Sequence, residues 1–191
     1  MGCVESKEAS ESAPISKPTT KDATREYPVV GNSSIMKKKS HGTSITPVQD
    51  NLRWDVDFKT ADRICNYNRH FAEHSGYWQG KRKFIQEIEE CRKANKTMIF
   101  YDSNTGKPLY EAPKGRSWHD FLSESKSHGW PSFRDPEVIW DDARCMKNGE
   151  AVSLAGTHLG HNLRDKKGNR YCINLVSIAG RPSNGRQSDE Q

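Results

Sequence analysis

Aromatic side chains are nearly absent from the first 50 residues of this 191-residue chain. Of its 5 Trp, 6 Tyr and 6 Phe, only Tyr27 lies in that stretch, which instead holds 13 Ser or Thr. Such a composition buries too little apolar surface to offset the entropy that is lost on ordering. We therefore predict a disordered segment over residues 1–50, and one domain with a single core in the remainder.

Long apolar runs and paired cysteines are absent as well. No stretch approaches the roughly 18 apolar residues of a membrane-spanning helix, and the N-terminus lacks the apolar region of a secretory signal peptide. The number of cysteines is odd, and no two of them form a C-x-x-C pair. These features predict free thiols in a reducing compartment. The cysteines are Cys3, Cys65, Cys91, Cys145 and Cys172.

A concentrated basic surface is also missing. The 30 Lys and Arg exceed the 25 Asp and Glu by a net charge of +5, but they are spread along the chain. The only dense cluster is the lysine run at 37–39. Nucleic-acid-binding domains usually collect positive charge on one face and add stacking aromatics. We therefore predict no nucleic-acid partner.

The extreme N-terminus has a lipidation pattern. Gly2 follows the initiator Met, Ser6 occupies the sixth position, and Cys3 lies beside the glycine. In a eukaryotic source this pattern predicts myristoylation of Gly2 and palmitoylation of Cys3. Two acyl chains give stable membrane attachment, whereas one gives only reversible attachment. We expect residues 1–50 to tether the domain to the cytosolic face of a membrane.

The remaining chain divides by its apolar pattern. Residues 51–96 have helical spacing, as in Ile64, Tyr67 and Phe71. Residues 97–180 have short apolar runs between turn residues, which indicates antiparallel strands. Residues 181–191 form a polar tail.

Two histidine patterns raise the question of a metal. His70, Glu73 and His74 match H-x-x-E-H, and on a helix both histidines would share one face. A zinc hydrolase built on these residues is one alternative function, although no third ligand is evident. His158 and His161 would point to opposite faces of a strand, so joint ligation requires a turn. We interpret this second pair as polar or acid groups near a pocket, and we predict no metal.

Cys172 lies within an apolar run that is typical of a strand. Residues two positions away on a strand lie on the same face, which places Arg170 and Asn174 beside the sulfur. A nearby positive charge favours the nucleophilic thiolate. His158 or His161 from a neighbouring loop would supply a proton. The pattern indicates a reactive cysteine rather than a buried structural one.

Three segments appear in a particular order. Residues 129–133 read Gly-Trp-Pro-Ser-Phe, residues 158–161 read His-Leu-Gly-His, and residues 170–174 read Arg-Tyr-Cys-Ile-Asn. In this order they resemble the signature of the B-class peptide methionine sulfoxide reductases, and the likeness covers about residues 97–180. The resemblance implies a mainly β fold, with two small antiparallel sheets (a β-tent) and N-terminal helices. It also implies reduction of methionine (R)-sulfoxide in proteins or peptides.

The resemblance further implies roles for individual residues. Cys172 would attack the sulfoxide sulfur and become a sulfenic acid, while His161, with His158 beside it, would protonate the oxygen. Asp165 would orient the histidine. The remaining implied roles are those of Arg170 and Asn174 in ordering the thiolate, and those of Trp130 and Phe133 in binding substrate.

The chain also departs from this family. Many members bind zinc through two C-x-x-C pairs, which this chain lacks, so we expect a zinc-free protein without a cofactor. We also expect a monomer. Many carry a resolving cysteine where this chain has His128. Cys145, the nearest to the motifs, is the first candidate to replace it, followed by Cys91 and Cys65. Direct reduction by thioredoxin or another thiol stays open. A further alternative is a non-catalytic binding module that retains the β-tent.

Overall fold

The structure is a computed structural model that describes residues 26–183. No helix in this range is both long enough and apolar enough to cross a bilayer. The α-helices are α1 (Phe58–Asp62), which continues into a π-helical turn (Arg63–Tyr67), α2 (Arg82–Lys93) and α3 (Trp118–His128). Short 3₁₀ helices occupy Ser33–Met36, Arg53–Asp55, Tyr77–Gly80, Asp135–Glu137 and Leu175–Ser177.

The strands form two antiparallel sheets. In the smaller sheet, β1 (Met98–Tyr101) pairs with β2 (Pro108–Ala112). The larger sheet has the strand order β3-β7-β6-β5-β4. Its strands are β3 (Ser132–Phe133), β4 (Ala143–Cys145), β5 (Glu150–Ser153), β6 (His158–Asn162) and β7 (Tyr171–Ile173). The predicted mainly β fold with two small antiparallel sheets is confirmed.

Aromatic rings join the two sheets in the core. Phe133 on β3 stacks on Tyr110 of β2 with ring centroids 4.3 Å apart, and it meets Phe100 of β1 edge-on at 5.0 Å. All three rings are fully buried. Such pairs add to the free energy gained by burying their area. Phe133 is therefore a core residue, and its burial does not support the predicted contact with substrate.

Residues 26–50 differ from the prediction of a disordered segment up to residue 50. Gly31 N donates to Cys145 O at 2.9 Å, which extends the edge of β4. Met36 and Val48 are buried against the domain. A few apolar side chains are enough to order this segment, because they pack into sites on the core that the rest of the chain forms. Residues 1–25, with Gly2 and Cys3, and residues 184–191 lie outside the described range.

Candidate active site

Four polar side chains form a row across one face of the larger sheet. Cys172 on β7 lies opposite both Ser132 on β3 and His161 on β6, and His161 lies opposite Glu150 on β5. Residues opposite each other in antiparallel strands project to the same side of a sheet. The register therefore brings a hydroxyl, a thiol, an imidazole and a carboxylate together.

The Cys172 side chain is partly exposed and has two polar neighbours. Arg170 Nη1 donates to Cys172 Sγ across 2.5 Å, and Ser132 Oγ lies 3.7 Å from the same sulfur. A guanidinium beside sulfur stabilises the thiolate, which is the nucleophilic form. The structure thus brings Arg170 to Cys172, as the spacing along the strand predicts.

Glu150 fixes the buried histidine of the site. Its Oε1 lies 2.8 Å from His158 Nδ1, and Arg69 Nε donates to the same oxygen across 2.9 Å. Burial raises the pKa of Glu150, but the hydrogen bonds from His158 and Arg69 outweigh it and lower the pKa to about 2. Glu150 is therefore ionised at neutral pH and orients the His158 ring through Nδ1.

His161 stands beside His158 but is more exposed. The two ring centroids are 5.5 Å apart, at an interplanar angle of 65°. Partial burial lowers the pKa of His161, and the neighbouring His158 lowers it further. The imidazole is therefore largely neutral at neutral pH, and it can take up a proton and pass it on.

A cavity of about 230 Å³ opens at Cys172. This volume is below the roughly 300 Å³ at which pockets for drug-sized ligands begin, and it suits a single side chain. Residues 70–72 form one wall. The predicted site residues that line the cavity are Cys172, His158, His161, Trp130 and Asn174.

Glu73 ties the wall at 70–72 to the sheet. Its carboxylate accepts hydrogen bonds from Leu175 N at 2.7 Å and Val176 N at 3.0 Å. Its carbonyl accepts from Trp130 Nε1 at 3.1 Å, which fixes the indole at the cavity. Burial raises the pKa of Glu73 to about 7, although the two backbone hydrogen bonds lower it. Glu73 thereby holds several parts of the site in place.

Asn174 lines the cavity, but its side-chain hydrogen bonds go to other groups than the sulfur. Its Oδ1 accepts from Glu73 N at 3.2 Å, and its Nδ2 donates to Leu159 O at 3.1 Å. Asn174 thus connects the wall at 70–72 with β6.

The zinc-hydrolase alternative does not fit this arrangement. Residues 71–74 have no helical structure, so His70 and His74 do not share a helix face. The Glu73 carboxylate is already bound to backbone N–H groups. Within residues 26–183, no three His, Cys, Asp or Glu side chains are grouped so that they could hold a metal ion.

Asp165 lies elsewhere than predicted. Its carboxylate accepts two hydrogen bonds from Arg134, at 2.8 and 3.0 Å, and lies 3.3 Å from Arg170 Nε. Asp165 therefore orients an arginine rather than a histidine. The carboxylate that orients a histidine in this site is that of Glu150. The hydrogen bonds from Arg134 keep the pKa of Asp165 far below its usual value.

The other described cysteines lie outside the cavity. Cys65 is fully buried, and its sulfur lies 3.5 Å from Ser177 Oγ. Cys145 is also buried, with its sulfur 3.6 Å from Met146 O. Burial raises the pKa of both thiols and of Cys91 on α2, which keeps all three protonated at neutral pH. Among the described residues, the cavity at Cys172 thus has no second cysteine in its lining.

Sequence comparison adds a partial relative. "Peptide methionine sulfoxide reductase MsrB" of Methanosarcina mazei is 41% identical to this chain over 71 residues, which cover 30% of the chain and 51% of the relative. Part of the chain is MsrB-like. The chain spans about half the length of this curated relative. No model of a protein family matches the chain, and no solved structure does.

Three residues of the site were not predicted in these roles. Glu150 holds His158, Arg69 binds the Glu150 carboxylate, and Glu73 holds the cavity wall. Glu150 begins a short apolar run after a turn, which indicates a strand but not its partner. Its contact with His158 follows only from the register of β5 and β6.

Proposed function

We propose that this chain reduces methionine (R)-sulfoxide in proteins or peptides, with Cys172 as the nucleophile. One observation carries the proposal, namely a small cavity in which a guanidinium-bound thiol, two histidines and an indole meet. The MsrB-like segment supports the same chemistry. A sulfoxide needs a soft nucleophile at sulfur and a proton at oxygen, and the cavity offers both.

In the proposed reaction, the Cys172 thiolate attacks the sulfoxide sulfur while His161 protonates the sulfoxide oxygen. The S–O bond of the substrate breaks and the oxygen passes to the Cys172 sulfur, which yields the thioether and a sulfenic acid. The two electrons that reduce the sulfoxide come from the cysteine sulfur. One external thiol then displaces water to form a mixed disulfide, and a second thiol releases Cys172.

The surrounding residues position these groups. Trp130 presents an apolar indole to the S-methyl group of the substrate. Glu150 holds His158, whose ring packs beside His161. Arg170 stabilises the attacking thiolate. His161 is the more exposed of the two histidines, and it can therefore exchange protons with solvent.

We propose that thioredoxin or another external thiol reduces the sulfenic acid directly. None of the other cysteines within 26–183 lines the cavity, which supports this route. The steps above use only side chains of this chain and added thiols, and the sequence lacks the two C-x-x-C pairs of zinc-binding members. We therefore propose a reductase that needs neither zinc nor a cofactor.

The test is an assay with separated R and S epimers of a methionine sulfoxide peptide and dithiothreitol. We expect turnover of the R epimer, loss of turnover in Cys172→Ser, and full turnover in the matched control Cys91→Ser. Absence of R-epimer reduction by the parent protein, or equal turnover by Cys172→Ser, would contradict the proposal. A protein that binds the peptide without reducing it would instead be a binding module.

We also propose that acyl groups on Gly2 and Cys3 hold the protein at the cytosolic face of a membrane. The sequence pattern at residues 2–6 supports this proposal. We expect Gly2→Ala to move the protein from the membrane fraction to the supernatant. Unchanged fractionation of the variant would argue against the anchor.

A further inference from the structure

A chain of charged side chains connects helix α3 to the Cys172 sulfur. Glu124 on α3 accepts a hydrogen bond from Arg134 Nε at 3.1 Å and a second, shorter one from Arg134 Nη2. Arg134 follows β3 directly, and its two terminal nitrogens donate to both oxygens of Asp165. Asp165 forms an ion pair with Arg170, which donates to Cys172 Sγ.

Asp165 depends on Arg134 for its position. It belongs to the loop between β6 and β7, whose residues 163–168 are mostly exposed. A carboxylate in such a loop would be free to turn towards water, but the fork of Arg134 holds both oxygens at once. The contacts that Asp165 otherwise makes are a local turn, in which Lys167 N donates to Oδ1, and the ion pair with Arg170.

Arg170 in turn depends on Asp165. The Arg170 side chain is buried, and its Nε carries no hydrogen bond although it lies 3.3 Å from Asp165 Oδ2. The carboxylate is thus the charge that compensates the buried guanidinium beside the sulfur. Without it, the guanidinium would be drawn away from Cys172 towards water.

We propose that Arg134 is a positioning residue of the Cys172 site, which holds Asp165 against Arg170 and thereby keeps the Arg170 guanidinium on the sulfur. Cys172 also faces Ser132 and His161 from the neighbouring strands, but Arg170 is the one charged group in hydrogen-bond contact with its sulfur among the described residues. The role of Arg134 is therefore separable from proton transfer by the histidines.

The first test is the rate at which iodoacetamide alkylates Cys172 at neutral pH, located by peptide mapping. We expect Arg134→Gln to slow alkylation and to lower kcat about tenfold, with KM for the sulfoxide peptide within about twofold of the parent, because a misplaced site residue costs rate before binding. Arg134→Lys should recover part of both losses, since it keeps one charged donor.

The matched control is Arg53→Gln. Arg53 is similarly buried and binds one carboxylate, Glu87, and one backbone carbonyl, Ile99 O, but it lies outside the cavity. We expect this control to lose thermal stability and keep the alkylation rate of Cys172. Equal slowing in both variants would show that Arg134 has a merely structural role and would overturn the proposal.

A double variant tests the route through Asp165. If Arg134 acts through that carboxylate, Arg134→Gln combined with Asp165→Asn should be no slower than Asp165→Asn alone. Additive losses would overturn the proposal. If Arg134→Gln fails to fold, Glu124→Gln provides the test, because Glu124 binds the Arg134 guanidinium. An unchanged alkylation rate of Cys172 in Glu124→Gln would overturn the proposal. Only the kcat measurement rests on the proposed function. If the parent protein has no reductase activity, the alkylation rates of Cys172 still test the role of Arg134.

Discussion

Cys145 and Cys172 project from opposite faces of the same sheet. Cys145 lies in register with Ala151 and, through it, Gly160 and Ile173, one position away from the row that contains Cys172. Two strands separate β4 from β7, which corresponds to about 14 Å at the usual spacing between strands. Disulfides require Cα atoms within about 7 Å. The sheet would have to come apart before these two sulfurs could bond.

We therefore predict that Cys145→Ser reduces methionine sulfoxide at the parent rate. After one turnover without a reductant, dimedone should label the sulfenic acid on Cys172, and no disulfide between Cys145 and Cys172 should appear in peptide maps. Cys172→Ser serves as the unlabelled control. A disulfide between the two residues in the folded protein would contradict the register argument.

Glu150→Gln should release His158. The neutral amide loses the charge-assisted hydrogen bonds with His158 and Arg69, which we expect to cost about 2 kcal/mol of unfolding free energy. Reductase activity should fall about tenfold, because a misoriented histidine transfers protons poorly. Activity assays and urea denaturation measure the two effects. Glu87→Gln, which removes a carboxylate bound to Arg53 away from the cavity, should lose stability but keep activity.

The titration of Glu73 should lower the free energy of unfolding as the pH rises from about 4.5 to about 7. The first value is the ordinary pKa of this carboxyl, and the second is its raised pKa in the folded protein. The folded state binds the proton more tightly than the unfolded state does. The stability from the protonated form is therefore complete below pH 4.5 and is lost as the pH passes 7, a change of roughly 3 kcal/mol.

Urea denaturation at pH 5 and pH 8 measures this change. Glu73→Gln should flatten the dependence, because the amide does not titrate, whereas Glu87→Gln should keep it. A slope in Glu73→Gln equal to that of the parent would show that another group is responsible.

Gly160→Ala should disrupt the site while leaving its reactive residues unchanged. A Cβ at Gly160 would stand 2.0 Å from Cys172 O and 3.0 Å from Ile173 Cα, so β6 must move away from β7. We expect a loss of about 2–3 kcal/mol in unfolding free energy together with most of the activity. Gly80→Ala, where no atom lies within 4 Å of the added Cβ, should resemble the parent in both respects.

The sequence predicts most of the groups in the cavity, because three ordered motifs contain them. Alternation along a strand is local information, and it places Arg170 beside Cys172 correctly. It does not predict the partner of an acidic residue. Asp165 pairs with Arg134 and Glu150 pairs with His158, and both pairings depend on loops and strand register that bring distant residues together.

Helix α3 lies within residues 97–180, where the short apolar runs predict strands. Ser117 and Asp120 form a reciprocal capping box at its beginning, and Gly129 ends it with φ +89°. Both features are readable in the sequence. Residues 26–50 are the opposite case, since their composition is that of disordered chains, and only the finished domain offers sites for Met36 and Val48.

The hydrogen bonds from Leu175 and Val176 to Glu73 join residues that are 102 and 103 positions apart. During synthesis on the ribosome, the wall formed by residues 70–72 emerges long before its partners on the last 3₁₀ helix. A nascent chain that has emerged only as far as helix α3 therefore contains the Glu73 carboxylate without the N–H groups of Leu175 and Val176. The cavity at Cys172 is completed only when nearly all of the domain has left the exit tunnel.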